Sequence, residues 1–524
     1  MLFNSLPFIF LFLPVVLAGF FVLGRRSPMS AAAWLTLASL FFYGWWNPLY
    51  VSLLVISMVF NYRIGLSIVQ AHAARRLTTA RGMLTFAVVA DLGLLAYYKY
   101  ANFFLDNLNA ALQTHVSLGE IILPLGISFF TFTQIAFLVD AYQGKAREYS
   151  FVHYALFVTY FPHLIAGPIL HHAEMMPQFA RREIYHPDAG SLAAGVTLFV
   201  LGLTKKVLIA DEVGQYVAPF FDAARGGTAL TFVEAWCGAL AYTFQLYFDF
   251  SGYSDMAVGL SLLFGVKLPA NFHSPYKAAN IIDFWRHWHI TLSRFLRDYL
   301  YVPLGGNRNG PARRYINLLI TMLLGGLWHG AGWTFVLWGA LHGIYLCVNH
   351  GWIALRSALG FSSRSTAWGR ALSCGLTFMA VVVGWVIFRA DSLSTALVIL
   401  HGMAGGHGFA LPDHWLAKWG SLGMWLSAQG VMFNDTRGLV TVGLVFWITA
   451  LLLVVWLAPN TQQIMSRAKP VLGAFAENVE GAGDYMHHWW RWRPAPWLAA
   501  PLAVLALLVV VNLHKKSEFL YFQF

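Results

Sequence analysis

The chain has 524 residues, of which 58% are hydrophobic, 16% aromatic and only 11% charged. A soluble domain carries about a quarter charged residues, so these proportions exclude an ordinary water-soluble globular protein. The net charge of +11 is dispersed over loops beside apolar stretches, which suits membrane topology and argues against a nucleic-acid surface.

In chain order, apolar stretches fall at 6–23, 31–46, 49–69, 83–98, 121–139, 193–208, 229–248 and 256–266. Others follow at 316–328, 334–348, 372–388, 439–457 and 497–511. Each bilayer crossing takes roughly 20 residues. Allowing for short or merged pieces, the pattern predicts an all-α polytopic membrane protein with roughly 11–13 embedded helices. The first stretch is a poor signal peptide, since no basic residue precedes it and Arg25 and Arg26 follow it. Those arginines, the uncharged Asn47–Pro48 turn and the next basic loop with Arg75, Arg76 and Arg81 set an orientation. Basic loops stay in the cytoplasm, so the N-terminus is expected outside. Cys237, Cys347 and Cys374 lie in apolar stretches without paired or metal-like spacing and read as core residues.

Longer polar connections occur at 143–150, 171–190, 267–314, 401–437 and 460–493. No inverted repeat of the transporter kind stands out. The segment 401–437 is rich in Gly and Trp, which suits a membrane interface. The segment 267–314 is unusual because it is long and charged in the middle of a membrane protein. Drawn as one helix, its Trp285, Trp288, Leu292, Phe295, Leu296 and Tyr299 share an arc. Arg286, His289, Ser293 and Arg297 share a neighbouring polar arc, and His287, Arg294 and Asp298 take the remaining side. Such a helix fits a re-entrant or interfacial position, with its cations towards water, headgroups or an anionic ligand. On periodicity alone, anchoring to anionic lipid accounts for it better than catalysis does. Upstream, QLYFDFSGYSDMAVGL at 245–260 places Asp249, Ser251, Tyr253, Ser254 and Asp255 between apolar spans. The two carboxylates are candidates to pair with the arginines of the amphipathic helix or to support a histidine.

Tyr315 to Ile353 contains no Asp, Glu, Lys or Arg, and His329 sits within it in LLGGLWHGAGW. Gly325, Gly326, Gly330 and Gly332 around it allow close backbone approach. An ionisable group at membrane depth is a functional candidate by default, whereas a histidine bridging packed helices is the plain alternative. Other chemistries find no motif. G-x-S-x-G, G-x-x-x-x-G-K-[ST] and H-E-x-x-H are all missing, and His171, His172 and Glu174 make a poor metal set because adjacent histidines diverge on a helix.

FWRHWHITLSRFLRDYLYVPLGGNR followed by LLGGLWHGAGWTFVLWG resembles the membrane-bound O-acyltransferase family, in its bacterial polysaccharide-acetylating branch. FFYGWWNP, LPLGISFFTF at 123–132, FPHLIAGPIL at 161–170, the 245–260 segment, VVGWVIFRA at 382–390 and the final FLYFQF extend the match over most of the chain. The resemblance implies one membrane domain over 1–524, built around a central tunnel. Its N-terminal helices would be 1–142 and its catalytic core 143–350, with motif segments 245–260, 284–308 and 323–339. Helices and interfacial loops would fill 351–524. It implies acetyl-CoA as a donor substrate used from the cytoplasmic side, with acetyl leaving on the other side of a bacterial inner membrane. It makes His329 of L-W-H-G the principal catalytic residue and His289 of W-H-x-[ST] the second. Relatives often carry arginine where His287 stands, so His287 receives no role. Trp285, Arg286, Ser293, Arg297, Asp249, Tyr253, Asp255 and Trp328 complete the candidate substrate-binding set, with Arg286 or Arg297 placed to hold the CoA phosphates. No metal is expected. Periplasmic SGNH-like partners and exopolysaccharide machinery are implied, with alginate the foremost polymer and cellulose or another surface polymer the alternative. An exporter or a non-catalytic scaffold of a secretion complex are the readings from other classes.

Overall fold

The computed structural model describes residues 1–146, 150–360, 366–434, 438–473, 491–513 and 519–520. Helix dominates, because backbone groups in hydrocarbon must find their hydrogen bonds within the segment. The stretches predicted at 31–46, 49–69 and 83–98 are the helices Pro28–Gly44, Leu49–Ala73 and Leu77–Leu112. Ser27, Thr366, Ser392 and Thr441 start their helices by accepting the backbone N–H three residues on. Among the described residues, four helical segments are long and apolar enough to cross a membrane: Leu49–Ala73, Leu77–Leu112, Ala189–Arg225 and Ala367–Arg389. Shorter apolar helices include Phe8–Gly24, Ile127–Tyr142, Leu393–Met403, Val442–Leu457 and Pro496–Asn512. Strand among these residues is confined to two short parallel pairs, Leu268–Pro269 with Val471–Leu472 and Ala410–Pro412 with Met432–Asn434. The chain is a multi-pass membrane protein.

Two sequence expectations are corrected. The apolar stretches at 229–248 and 256–266 form one helix, Phe232–Leu263, and the polar residues expected between spans lie inside it. Asp249, Ser254 and Asp255 have partners within the protein, so the helix need not break for them to reach water. The predicted amphipathic helix is, by contrast, interrupted. Ile281–His287 and Ile290–Leu296 are separate helices, followed by a π-helical turn at Arg297–Tyr301.

The chain forms two compact units. The first comprises Met1–Thr204, Ser251–Asn271 and Thr461–Gln523. Its interior holds a polar cluster that the hydropathy pattern conceals. Asn61 Nδ2 donates to Asp91 Oδ1 at 2.9 Å and to Gln134 Oε1 at 3.0 Å, while Gln134 Nε2 donates to Ser57 Oγ at 3.0 Å. Polar groups at membrane depth pair with one another in this way. Tyr253 and Asp255 also belong here. The Tyr253 ring is stacked between Phe3 (4.8 Å) and Phe519 (4.4 Å), and Asp255 Oδ2 accepts from Thr461 Oγ1 at 2.6 Å. These contacts tie chain segments together. Beyond Leu520, the FLYFQF motif lies outside the described residues.

The second unit comprises Lys205–Phe250 and Phe272–Asn460. Its central element is the hairpin of helices Gly310–His329 and Trp333–Ala358. Gly326 and Gly339 set the crossing. The Gly339 Cα lies 3.0 Å from where a Cβ on Gly326 would sit, and that Cβ would also strike the Phe335 carbonyl oxygen. Only small residues allow such an approach.

Candidate active site

His329 is the last residue of its helix, and Gly330 then turns into extended backbone. The imidazole is buried at 8% exposure. Aromatic rings surround it: Trp328 at 4.9 Å, Trp338 at 5.1 Å and Phe388 at 5.2 Å between centroids, all edge-on. The tight glycine crossing of the hairpin brings Trp338 to this position.

His289 occupies the break in the predicted amphipathic helix. Its backbone is left-handed, with φ 42° and ψ 54°. Non-glycine residues adopt this region sparingly, and such strain gathers at functional sites. The local hydrogen bonds explain how it is held. Trp288 N–H closes the preceding helix on Phe284 O at 2.8 Å, and the His289 carbonyl accepts Ser293 N–H at 3.0 Å to open the next. The ring is 1% exposed, 4.8 Å from Phe250 and 6.1 Å from Trp328. Trp328 therefore lies against both motif histidines.

Of the other candidates, Trp285 packs edge-on to Trp338 (5.8 Å) and His342 (5.3 Å), as part of the aromatic wall behind His329. Ser293 is half-buried, with its hydroxyl 3.4 Å from the Trp288 carbonyl. Arg286 and Arg297 are exposed. Arg297 is bidentate to Asp298 at 2.7 and 3.2 Å, which holds its proton above the ordinary arginine range.

Asp249 and Asp255, candidates to pair with the arginines of the 284–308 segment, to support a histidine or to make structural ion pairs, have partners from other segments. Asp249 Oδ1 sits 2.6 Å from Lys206 Nζ, which also reaches Asp211 Oδ1 at 2.8 Å. Asp255 is hydrogen-bonded to Thr461, as above. Lys206 lies in a π-helical turn, Lys205–Ala210, that the sequence reading passed over as the end of an apolar span. Trp338 and His342 were missed as well. His342 shares the charge-free run with His329, so the signal that singled out one histidine applied to both.

A family model described as MBOAT, the membrane-bound O-acyltransferase family, matches residues 128–386. The peptidoglycan O-acetyltransferase of Helicobacter pylori is 46% identical over 440 residues, covering 78% of this chain and 81% of that protein. The chain belongs to the membrane-bound O-acyltransferase family. It is an acyltransferase. A protein of Pseudomonas aeruginosa named "Probable alginate O-acetylase AlgI" is 44% identical over 401 residues, covering 76% of this chain and 73% of that protein. The teichoic acid D-alanyltransferase of Streptococcus thermophilus is more distant, at 27% over 282 residues, 50% of this chain and 68% of that protein. The matched span contains His289, His329, Trp285, Trp328 and Trp338. Within this membrane-bound O-acyltransferase, the two motif histidines are buried in a largely apolar surround.

Proposed function

We propose that the protein takes acetyl from acetyl-CoA on the cytoplasmic side of a bacterial inner membrane and passes it outward for O-acetylation of a cell-surface glycan. The observation that carries this reading is His329. It is a buried imidazole at a helix C-terminus, enclosed by Trp328, Trp338 and Phe388 and sharing Trp328 with His289.

A histidine suits this position because its basicity matches neutral pH without a metal or cofactor. His329 takes the proton from an acceptor hydroxyl as the oxygen attacks the thioester carbonyl. The C-terminal end of a helix carries partial negative charge, which favours the imidazolium that forms there. The proton then goes to the departing thiolate of CoA. His289, held in its strained conformation, orients the reacting groups from the other side of Trp328. The aromatic surround excludes water, which would otherwise take the acetyl group. Arg286 and Arg297 supply exposed guanidinium groups for the CoA phosphates, Arg297 giving up its bond to Asp298 in exchange.

Alginate is the acceptor polymer in the first form of this proposal, with periplasmic SGNH-like partners completing the transfer. The similarity to a peptidoglycan O-acetyltransferase over most of both chains favours a second form, in which the glycan is peptidoglycan. The chemistry at His329 is common to both. In cells, His329→Ala is expected to accumulate normally and to abolish acetylation of the glycan. Undiminished acetylation would remove His329 from the mechanism.

A further inference from the structure

His401 and His407 face each other across a glycine turn. His401 stands in the last turn of the helix Leu393–Met403. The chain then reverses: Gly406 N–H bonds the His401 carbonyl at 3.0 Å, and Gly405 N–H bonds the Gly402 carbonyl at 2.8 Å. That pair of bonds is a glycine helix stop, with Gly405 in the left-handed region at φ 84°. Gly406 packs on the His401 ring, where any Cβ would strike it. The turn thus brings His407 Nε2 to 3.1 Å from His401 Nδ1, with ring centroids 4.5 Å apart.

A backbone carbonyl fixes the state of His407. Its Nδ1 is 3.1 Å from the Leu230 carbonyl oxygen, which can only accept, so Nδ1 carries the hydrogen. In the neutral ring Nε2 is then a bare lone pair, and this is the atom that faces His401. Metal-binding imidazoles are commonly oriented in the same way, the remote ring N–H donating to a backbone carbonyl. The turn is itself anchored, because Phe232 N–H bonds the Gly408 carbonyl at 2.9 Å. Two nitrogens that share one ion at about 2.0–2.1 Å stand about 2.9 Å apart at a right angle and about 3.3 Å at the tetrahedral angle. The observed separation falls between these limits. Both side chains are also within reach of an ion, since His401 is exposed and His407 half-buried.

We propose that His401 Nδ1 and His407 Nε2 chelate one divalent transition-metal ion of the zinc and nickel class. Imidazole suits those ions, whereas magnesium and calcium take oxygen ligands. In the metal-free form His401 Nδ1–H donates to His407 Nε2. On binding, His401 carries its hydrogen on Nε2 instead, both facing nitrogens give lone pairs, and no net proton is released. Among the described residues no third His, Cys, Asp or Glu joins them, so water fills the remaining positions and the ion exchanges readily. The ion clips the end of the helix Leu393–Met403 to the turn that runs beside Leu230 and Phe232. The site uses neither His289 nor His329 and is independent of the acyl-transfer reading.

The test is equilibrium dialysis of purified, tag-free, full-length protein in detergent against zinc, with bound metal counted by mass spectrometry. His401→Ala and His407→Ala are each expected to bind one zinc fewer than the parent. The double variant should lose no more than either single one, because both changes remove the same ion. His401→Gln, which keeps a hydrogen-bonding side chain towards His407, is expected to lose the ion as well. Gly406→Ala keeps both imidazoles and should weaken binding by displacing the His401 ring. Zinc should raise the melting temperature of the parent more than that of the double variant, and excess magnesium should not displace it. Parental zinc binding in either alanine variant overturns the proposal. So do losses that add in the double variant, which would mean two separate histidine sites.

Discussion

His289 and His329 reach their positions by different routes, and the difference governs how each tolerates substitution. His329 ends a regular helix, so its replacement removes chemistry without disturbing backbone. His289 stands at φ 42°, a conformation that asparagine accepts and β-branched residues resist. His289→Asn is therefore expected to accumulate at the parental level with kcat reduced about 10²- to 10⁴-fold, the range for a lost acid–base or orienting group. His289→Val is expected to lose accumulation as well. A His289→Asn enzyme working at full rate would show that the strained position serves folding alone. At this scale the sequence was partly legible. A histidine in a run free of charge points to itself, and both motif histidines are buried in the second unit. The run contains His342 too, yet nothing in one-dimensional spacing tells which buried nitrogens find partners.

Helices from apolar stretches were readable because length and hydropathy dictate them, and the predicted spans at 316–328 and 334–348 became the two arms of the central hairpin. Breaks and continuities were less so. The amphipathic arcs drawn over 285–299 assumed one helix, whereas the helix breaks at His289. The polar patch in QLYFDFSGYSDMAVGL read as a connection, yet the helix Phe232–Leu263 runs through it. Within it, Asp249 pairs with Lys206, which is far away in sequence. Taking away one partner of a buried ion pair leaves the other charge stranded, which costs about 3–5 kcal/mol. Lys206→Met, which leaves Asp249 and Asp211 without their shared cation, is expected to lower the melting temperature in detergent clearly. Melting at the parental temperature would mean that this cluster contributes nothing to stability.

For the whole molecule, composition alone was enough to place the chain in a membrane, because 11% charged residues cannot clothe a soluble surface of this size. The orientation proposed for it rests on Arg25, Arg26, Arg75, Arg76 and Arg81. In a background lacking the native cysteines, a cysteine at Asn47 is expected to react with an impermeant thiol reagent from outside, and one at Arg76 only after permeabilisation. The reverse pattern would invert the proposed topology and put the donor on the wrong side. The proposed direction of acetyl transfer depends on that orientation, and the proposed reaction depends on His329. The most direct measurement is release of CoA from labelled acetyl-CoA by purified protein in proteoliposomes, parent against His329→Ala. The account predicts turnover with the parent, supplied with acceptor, and none above background with the variant. Equal turnover in the two would contradict it.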